Sequence, residues 1–212
     1  MTDLPPPPAD LSGFPSRVLP ANTAVFRLHH RDLGPFWFSS TAADADQGNR
    51  FDLPLPDGAS YWALQPAVAL LETLARRPVT IIPSELLDRY QLTQAHLPHD
   101  LGPVANLPVK AARRFGLTAE LFTTTDRRLT RAWAKALAAA GFVAVLGLAR
   151  HDVTGRNRTT TLWGKGGEHP PYGWSWTTTS IPTSQAVSAL SPWGIRVVPI
   201  PFDVPTVDSP PY

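Results

Sequence analysis

Apolar positions along this chain come in short bursts broken by proline and glycine, and each burst predicts one element. Ala24–Leu28 is a short apolar strand interrupted by Arg27. An arginine there needs a partner, because an unpaired buried charge is expensive. Pro35–Ser39 reads as an edge or loop strand, and Thr41–Gln47 as polar loop. Asn49–Phe51 follows a turn. Pro54, Pro56 and Asp57-Gly58 predict a second turn and a hairpin into a strand at Ser60–Leu64. Pro66 suits the first position of a helix, and Ala67, Leu70, Leu71 and Leu74 recur at helical spacing behind it. Pro78 ends that helix, and Val79–Ile82 is a β-branched strand.

Further along, Ser84 is placed to cap a short helix, SELLDRY. His96–Pro108 reads as a proline-broken loop and Lys110–Phe115 as one helical turn. Asp126 is a natural N-cap for a helix whose buried stripe is Leu129, Trp133, Ala136, Leu137 and Ala140, with Gly141 as its stop. Phe142–Leu148 has the continuous apolar run of a buried strand, and Arg158–Trp163 follows as another. Residues 164–212 read as an irregular Trp- and Pro-rich extension, with one strand at Ile195–Ile200. Residues 1–20 read as a proline-rich arm, either packed on the surface or disordered. There is no internal repeat. Short strands mixed with a few helices, without regular strand–helix alternation, predict one α+β domain over 21–212, with a compact mixed sheet.

Composition narrows this picture. The 24 prolines exceed twice the usual share, so much of the chain is loop or extended segment. No cysteine is present, which excludes disulfides and thiolate chemistry. The start, MTDLPPPPAD, lacks the features of a signal peptide, and the longest apolar run is far too short to cross a bilayer. A soluble cytoplasmic protein is expected, with no membrane contact. The net charge is only +2, but arginine supplies nearly all of the 19 cationic residues. Arginine suits bidentate binding of phosphate or carboxylate; a coding bias of the source organism explains the excess equally well. The cations form pairs at 76–77, 113–114 and 127–128 but no basic tract, so direct nucleic-acid binding is not expected.

The histidines do not match a metal pattern: His29 and His30 are adjacent, His96 and His99 lack a carboxylate at ligand spacing, and His151 and His169 stand alone. GKGGEH at 164–169 lacks the full phosphate-loop pattern. What remains is Arg27, Arg50, Tyr61 and Glu72: two cations, an aromatic face and one carboxylate, which suit an anionic, ring-bearing ligand. Each has a plainer explanation. Arg27 suits a structural ion pair, Arg50 a carbonyl cap near its turn, and Tyr61 a core position with its hydroxyl at the surface. Glu72 suits an i,i+4 pair with Arg76 on an exposed helix face. Spacing alone favours these plainer explanations.

The context of the four residues goes further. Phe26-Arg27 lies on a strand, Gly48-Asn49-Arg50-Phe51 on a turn, Tyr61-Trp62-Ala63 on a strand, and Ala69-Leu70-Leu71-Glu72 on a helix. Their order and spacing resemble the RES domain, a family named for an Arg, a Glu and a Ser. The resemblance is strong over 25–75 and weaker through Asp126–Ala140 and Phe142–Arg150. The family's serine normally ends that later strand, before an arginine; here Ala149 stands in its place, and only a neighbour such as Thr154, or a water, could substitute for the hydroxyl.

The resemblance implies an ADP-ribosyltransferase-like fold and an enzyme that consumes NAD. Such an enzyme cleaves the nicotinamide–ribose bond with water or phosphate as acceptor, as a glycohydrolase or a phosphorylase. It implies NAD as substrate, phosphate as a potential co-substrate, and no permanently bound cofactor. It further implies the toxin of a toxin–antitoxin pair, with an Xre-type helix-turn-helix antitoxin as partner and self-association an open option. Under it, Glu72, Arg27 and Tyr61 are the catalytic residues, and Arg27, Arg50, Tyr61 and Glu72 hold the substrate, with Arg150 a further candidate for an acceptor phosphate. The alternative is a catalytically weakened relative, lacking the serine hydroxyl, that binds a nucleotide or a protein partner.

Overall fold

A computed structural model describes residues 4–75, 80–170 and 173–199. Its elements in chain order begin with β1 (Ser16–Leu19), β2 (Ala24–His30), β3 (Trp37–Phe38), β4 (Asp57–Ala63) and α1 (Pro66–Leu74). β5 (Ile81–Pro83), β6 (Tyr90–His96), β7 (Leu101–Asn106), α2 (Glu120–Thr123) and α3 (Arg127–Ala139) follow. The chain continues with β8 (Ala144–Leu148), β9 (Arg158–Lys165), β10 (Gly167–Glu168), β11 (Ser175–Ser180), α4 (Thr183–Leu190) and β12 (Arg196–Val198). Ser84–Arg89 and Lys110–Phe115 are 3-10 turns.

One eight-stranded sheet, ordered β1-β7-β8-β9-β4-β2-β6-β11, carries the fold. Its pairs are antiparallel except β7 with β8, so the sheet is mixed. Two small pairs, β3 with β10 and β5 with β12, stand outside it. α1 and α4 cover one part of the sheet, over a core that includes Leu28, Leu71, Leu92 and Leu190. α3 covers another with Trp133 and Leu137, joined by Leu4, Leu11 and Phe14 of the N-terminal arm. The described part of that arm is therefore packed, and it adds β1 to the sheet edge.

Local chemistry explains the helices. Pro66 opens α1, where a missing N–H costs nothing. Val68 and Ala69 are buried along with Leu70, Leu71 and Leu74, so α1 buries a wider face than its predicted stripe. The Asp126 side chain accepts the Leu129 N–H at 2.9 Å and caps α3. Gly141 follows with φ of +91°, a left-handed stop.

Several expectations need correction. There is no local hairpin at Pro54–Leu64: Asp57 and Gly58 already belong to β4, which pairs with distant β9. The proline-broken loop from His96 contains β7, whose Pro103 sits in the ladder between β1 and β8. Ser84 is not the cap of its turn but the first residue inside it, and the N-cap position falls to Pro83, which makes no side-chain cap bond. The segment after residue 164 is not irregular, because β11 extends the sheet along β6 and α4 packs on α1. Pro78, Val79, Arg76, Ile200 and the tail beyond it lie outside the described residues. Among the described residues no helix is long and apolar enough to cross a membrane.

Candidate active-site cleft

β2 and β4 are neighbours in the sheet, yet their one Cα pairing is Phe26 with Ala63. β4 instead runs its full length along β9, and β2 along β6. The sheet therefore splits where Arg27 would face Trp62, and a cleft of about 580 Å³ opens at the split. Arg27 reaches it from β2, Tyr61 from β4, Glu72 from α1 and Arg50 from the loop before β4. All four predicted residues meet there. Ala69, Glu72 and Thr73 together line it, the i, i+3, i+4 face of α1. Arg76, the other partner proposed for Glu72, lies outside the described residues.

The loop that carries Arg50 is tightly held. Gly48 has φ of +109°, and a Cβ there would collide with the Thr41 side chain, so only glycine fits. Asp52, 1% exposed, is the hub. It accepts from Ser39 Oγ at 2.6 Å, Thr41 Oγ1 at 2.6 Å, the Asn49 N–H at 2.8 Å and the Tyr61 hydroxyl at 2.8 Å. Arg131 of α3 braces the loop from below, donating to the Gln47 and Ala45 carbonyls.

These bonds restrict what each candidate can offer a ligand. The Tyr61 hydroxyl donates to Asp52 and accepts the Phe51 N–H at 2.9 Å, so both of its functions are taken. Burial, then Asp52, pushes it well above the usual tyrosine range. It stays neutral, and its ring face is what remains. Arg27 Nη1 donates to Pro35 O at 2.7 Å, Trp37 O at 2.8 Å and Ser60 Oγ at 2.6 Å, with its guanidinium 6.0 Å from the Trp62 ring centroid. Arg50 Nη1 donates to Leu121 O at 2.8 Å and Thr124 O at 3.0 Å, while its Nη2 is buried without a partner. Donors of both guanidinium groups are thus already committed to the protein, to backbone carbonyls and, for Arg27, also to Ser60.

Glu72 is half-buried, and its Oε1 accepts the His151 N–H at 2.8 Å. Burial raises its carboxyl above the ordinary value; the His151 N–H and the Arg150 and Arg50 charges pull the other way.

Sequence reasoning missed Arg127, the first residue of α3, which also lines the cleft. Its only sequence signal is the pair at 127–128. Thr159 and Thr161 of β9 line the cleft as well. Ala149 does not. It is 3% exposed within the apolar cluster of α1 and α4, while its neighbours Leu148 and Arg150 line the cleft. The Thr154 hydroxyl, the suggested substitute, donates to Asp152 at 2.6 Å and is not part of the lining.

A split mixed sheet with an arginine-rich cleft and a few helices is an α+β architecture. The family model of the RES domain matches residues 24–163, and the chain belongs to that family. The same fold occurs in a chain of the crystal structure of the M. tuberculosis MbcT–MbcA toxin–antitoxin complex, with a TM-score of 0.60 at 16% identity. That alignment covers 82% of this chain and 92% of the other. No curated protein matches the sequence.

Proposed function

We propose that this protein degrades NAD, breaking the bond between nicotinamide and ribose with water or phosphate as acceptor, and that it acts as the toxin of a toxin–antitoxin pair. The observation that carries the reading is the convergence of Arg27, Arg50, Tyr61 and Glu72 on one cleft in a chain of the RES family.

The chemistry asks little of the protein at the leaving group. Nicotinamide departs neutral, taking the electrons of the carbon–nitrogen bond, so it needs no general acid. The ribose left behind gains positive charge. A carboxylate beside it stabilises that charge and accepts from the ribose hydroxyls, the role we assign to Glu72. The His151 N–H fixes the carboxylate before substrate arrives, which lowers the ordering cost of the reaction. The Tyr61 ring offers a face to the cationic nicotinamide. Arg27 and Arg50 supply positive potential for the diphosphate, Arg50 through its unused Nη2.

On this reading NAD is substrate, no resident cofactor is needed, and the protein works in the cytoplasm under control of an Xre-type helix-turn-helix antitoxin. The partner rests on the family and on the toxin–antitoxin complex that shares the fold. Purified protein mixed with NAD, with and without phosphate, tests the reading through nicotinamide release. Release abolished by Glu72→Gln supports it. Tight nucleotide binding without release would leave the weakened-relative alternative.

A further inference from the structure

Among the described residues the cleft gathers more positive charge than negative. Arg50, Arg127 and Arg150 all line it. Among the described residues the ion pairs are His30 with Asp32 and Arg128 with Asp46, so none of the three arginines has a carboxylate at ion-pair distance. Of the two nearby acids, Asp52 is taken up by hydroxyls and an N–H, and Glu72, which attracts Arg50 and Arg150, sets one negative charge against the three cations.

The three come from separate places. Arg50 is pinned by the carbonyls of Leu121 and Thr124, Arg127 starts α3 just beyond them, and Arg150 follows β8. Their closeness shows in their electrostatics. Burial first, then Arg127 and Arg150, lowers Arg50 to about 9. Burial and then Arg150 lowers Arg127 as well. Arg50 is only 9% exposed, and its Nη2 has no acceptor. A buried donor without a partner, behind two like charges, is a costly arrangement that an anion would relieve.

We infer that Arg50, Arg127 and Arg150 form a phosphoryl-binding subsite beside Glu72, and that Arg127, absent from the motif that carries the resemblance, is one of its contact residues. This rests on the NAD reading only for which molecule brings the phosphoryl group. Two sources share the chemistry: the diphosphate of the substrate, or free inorganic phosphate as acceptor. In the second case a phosphate oxygen forms the bond to the ribose anomeric carbon as nicotinamide leaves with the electrons of the broken bond. The product is ADP-ribose 1-phosphate, and the phosphate proton passes to solvent.

Calorimetric titration of the full chain with inorganic phosphate and with pyrophosphate, without NAD, tests the subsite. Saturable binding of at least one is expected, weakened about tenfold or more by Arg127→Gln. Arg128→Ala makes the same charge change at an exposed neighbour paired with Asp46, and should leave affinity within about twofold. Failure of both anions to bind, or equal affinity in wild type and Arg127→Gln, overturns the inference. Arg150→Gln, at an exposed position, replaces Arg127→Gln if the latter does not fold. Nicotinamide release then separates the sources. Acceleration by phosphate, lost in Arg127→Gln, assigns the subsite to the acceptor. Competition by phosphate and tighter binding of pyrophosphate assign it to the substrate. Anion binding without any NAD turnover would sink the NAD reading and leave the subsite standing.

Discussion

The carboxylate of Glu72 accepts the backbone N–H of His151, 79 residues away in sequence, and so ties α1 to the loop after β8 across the cleft. The acid is aimed by the fold rather than by a neighbouring side chain. Glu72→Gln keeps an oxygen for that N–H and removes only the charge. Nicotinamide release should fall by about 10²-fold or more, with thermal stability unchanged or slightly raised, because a partly desolvated charge is lost. Parallel losses of activity and melting temperature would mean that Glu72 is structural.

The same residue sets a pH dependence with opposite signs for stability and activity. Its folded-state value lies above the ordinary 4.5, burial being the largest cause. The protonated form is therefore favoured by folding. Its contribution to stability is full below 4.5 and is lost as pH rises through the folded value. The melting temperature of wild type relative to Glu72→Gln should therefore fall between acid and neutral pH. Activity needs the ionised form, so the acid limb of kcat/KM should have its midpoint above 4.5. A midpoint below 4.5 would contradict this assignment.

Tyr61 and Asp52 show how much of the site is scaffold. Tyr61→Phe leaves the ring in place but takes one donor from a buried carboxylate and strands the Phe51 N–H. The expected cost is about 1–3 kcal/mol of stability. Turnover at saturating NAD should stay within about tenfold of wild type, because only the ring face is assigned to substrate, whereas Tyr61→Ala should lose more. Chemical denaturation and initial rates on the two variants check both parts.

The motif was legible because chain chemistry marks the segments that carry it: Gly48 at a left-handed position before Arg50, Pro66 at the first turn of the helix that bears Glu72. The sheet was less so. β6 lies inside the sheet, but its buried positions include Thr93, and its partner β11 reads SWTTTS and is exposed throughout. Neither shows the apolar alternation that marks a strand. β7 hides behind its own Gly-Pro. Arg127 was invisible for another reason. Nothing local distinguishes it from Arg128, and only the packing of α3 turns one guanidinium into the cleft while the other pairs with exposed Asp46.

Ala149 provides the remaining test. The resemblance places a serine there, yet the residue lies with Val68, Leu71 and Ile195 in an apolar cluster and outside the cleft lining. Its N–H bonds the Asn157 carbonyl, which fixes the backbone at this point. A hydroxyl added by Ala149→Ser would enter a dry environment, at a cost of about 1–3 kcal/mol. For a chain of this size that lowers the melting temperature by roughly 2–12 °C. Nicotinamide release should not rise, because the cleft already has hydroxyl-bearing lining residues in Ser39, Thr73, Thr159 and Thr161, and position 149 is not among the lining. A large gain in turnover at unchanged stability would place position 149 within reach of substrate and make its alanine the reason for a weakened enzyme.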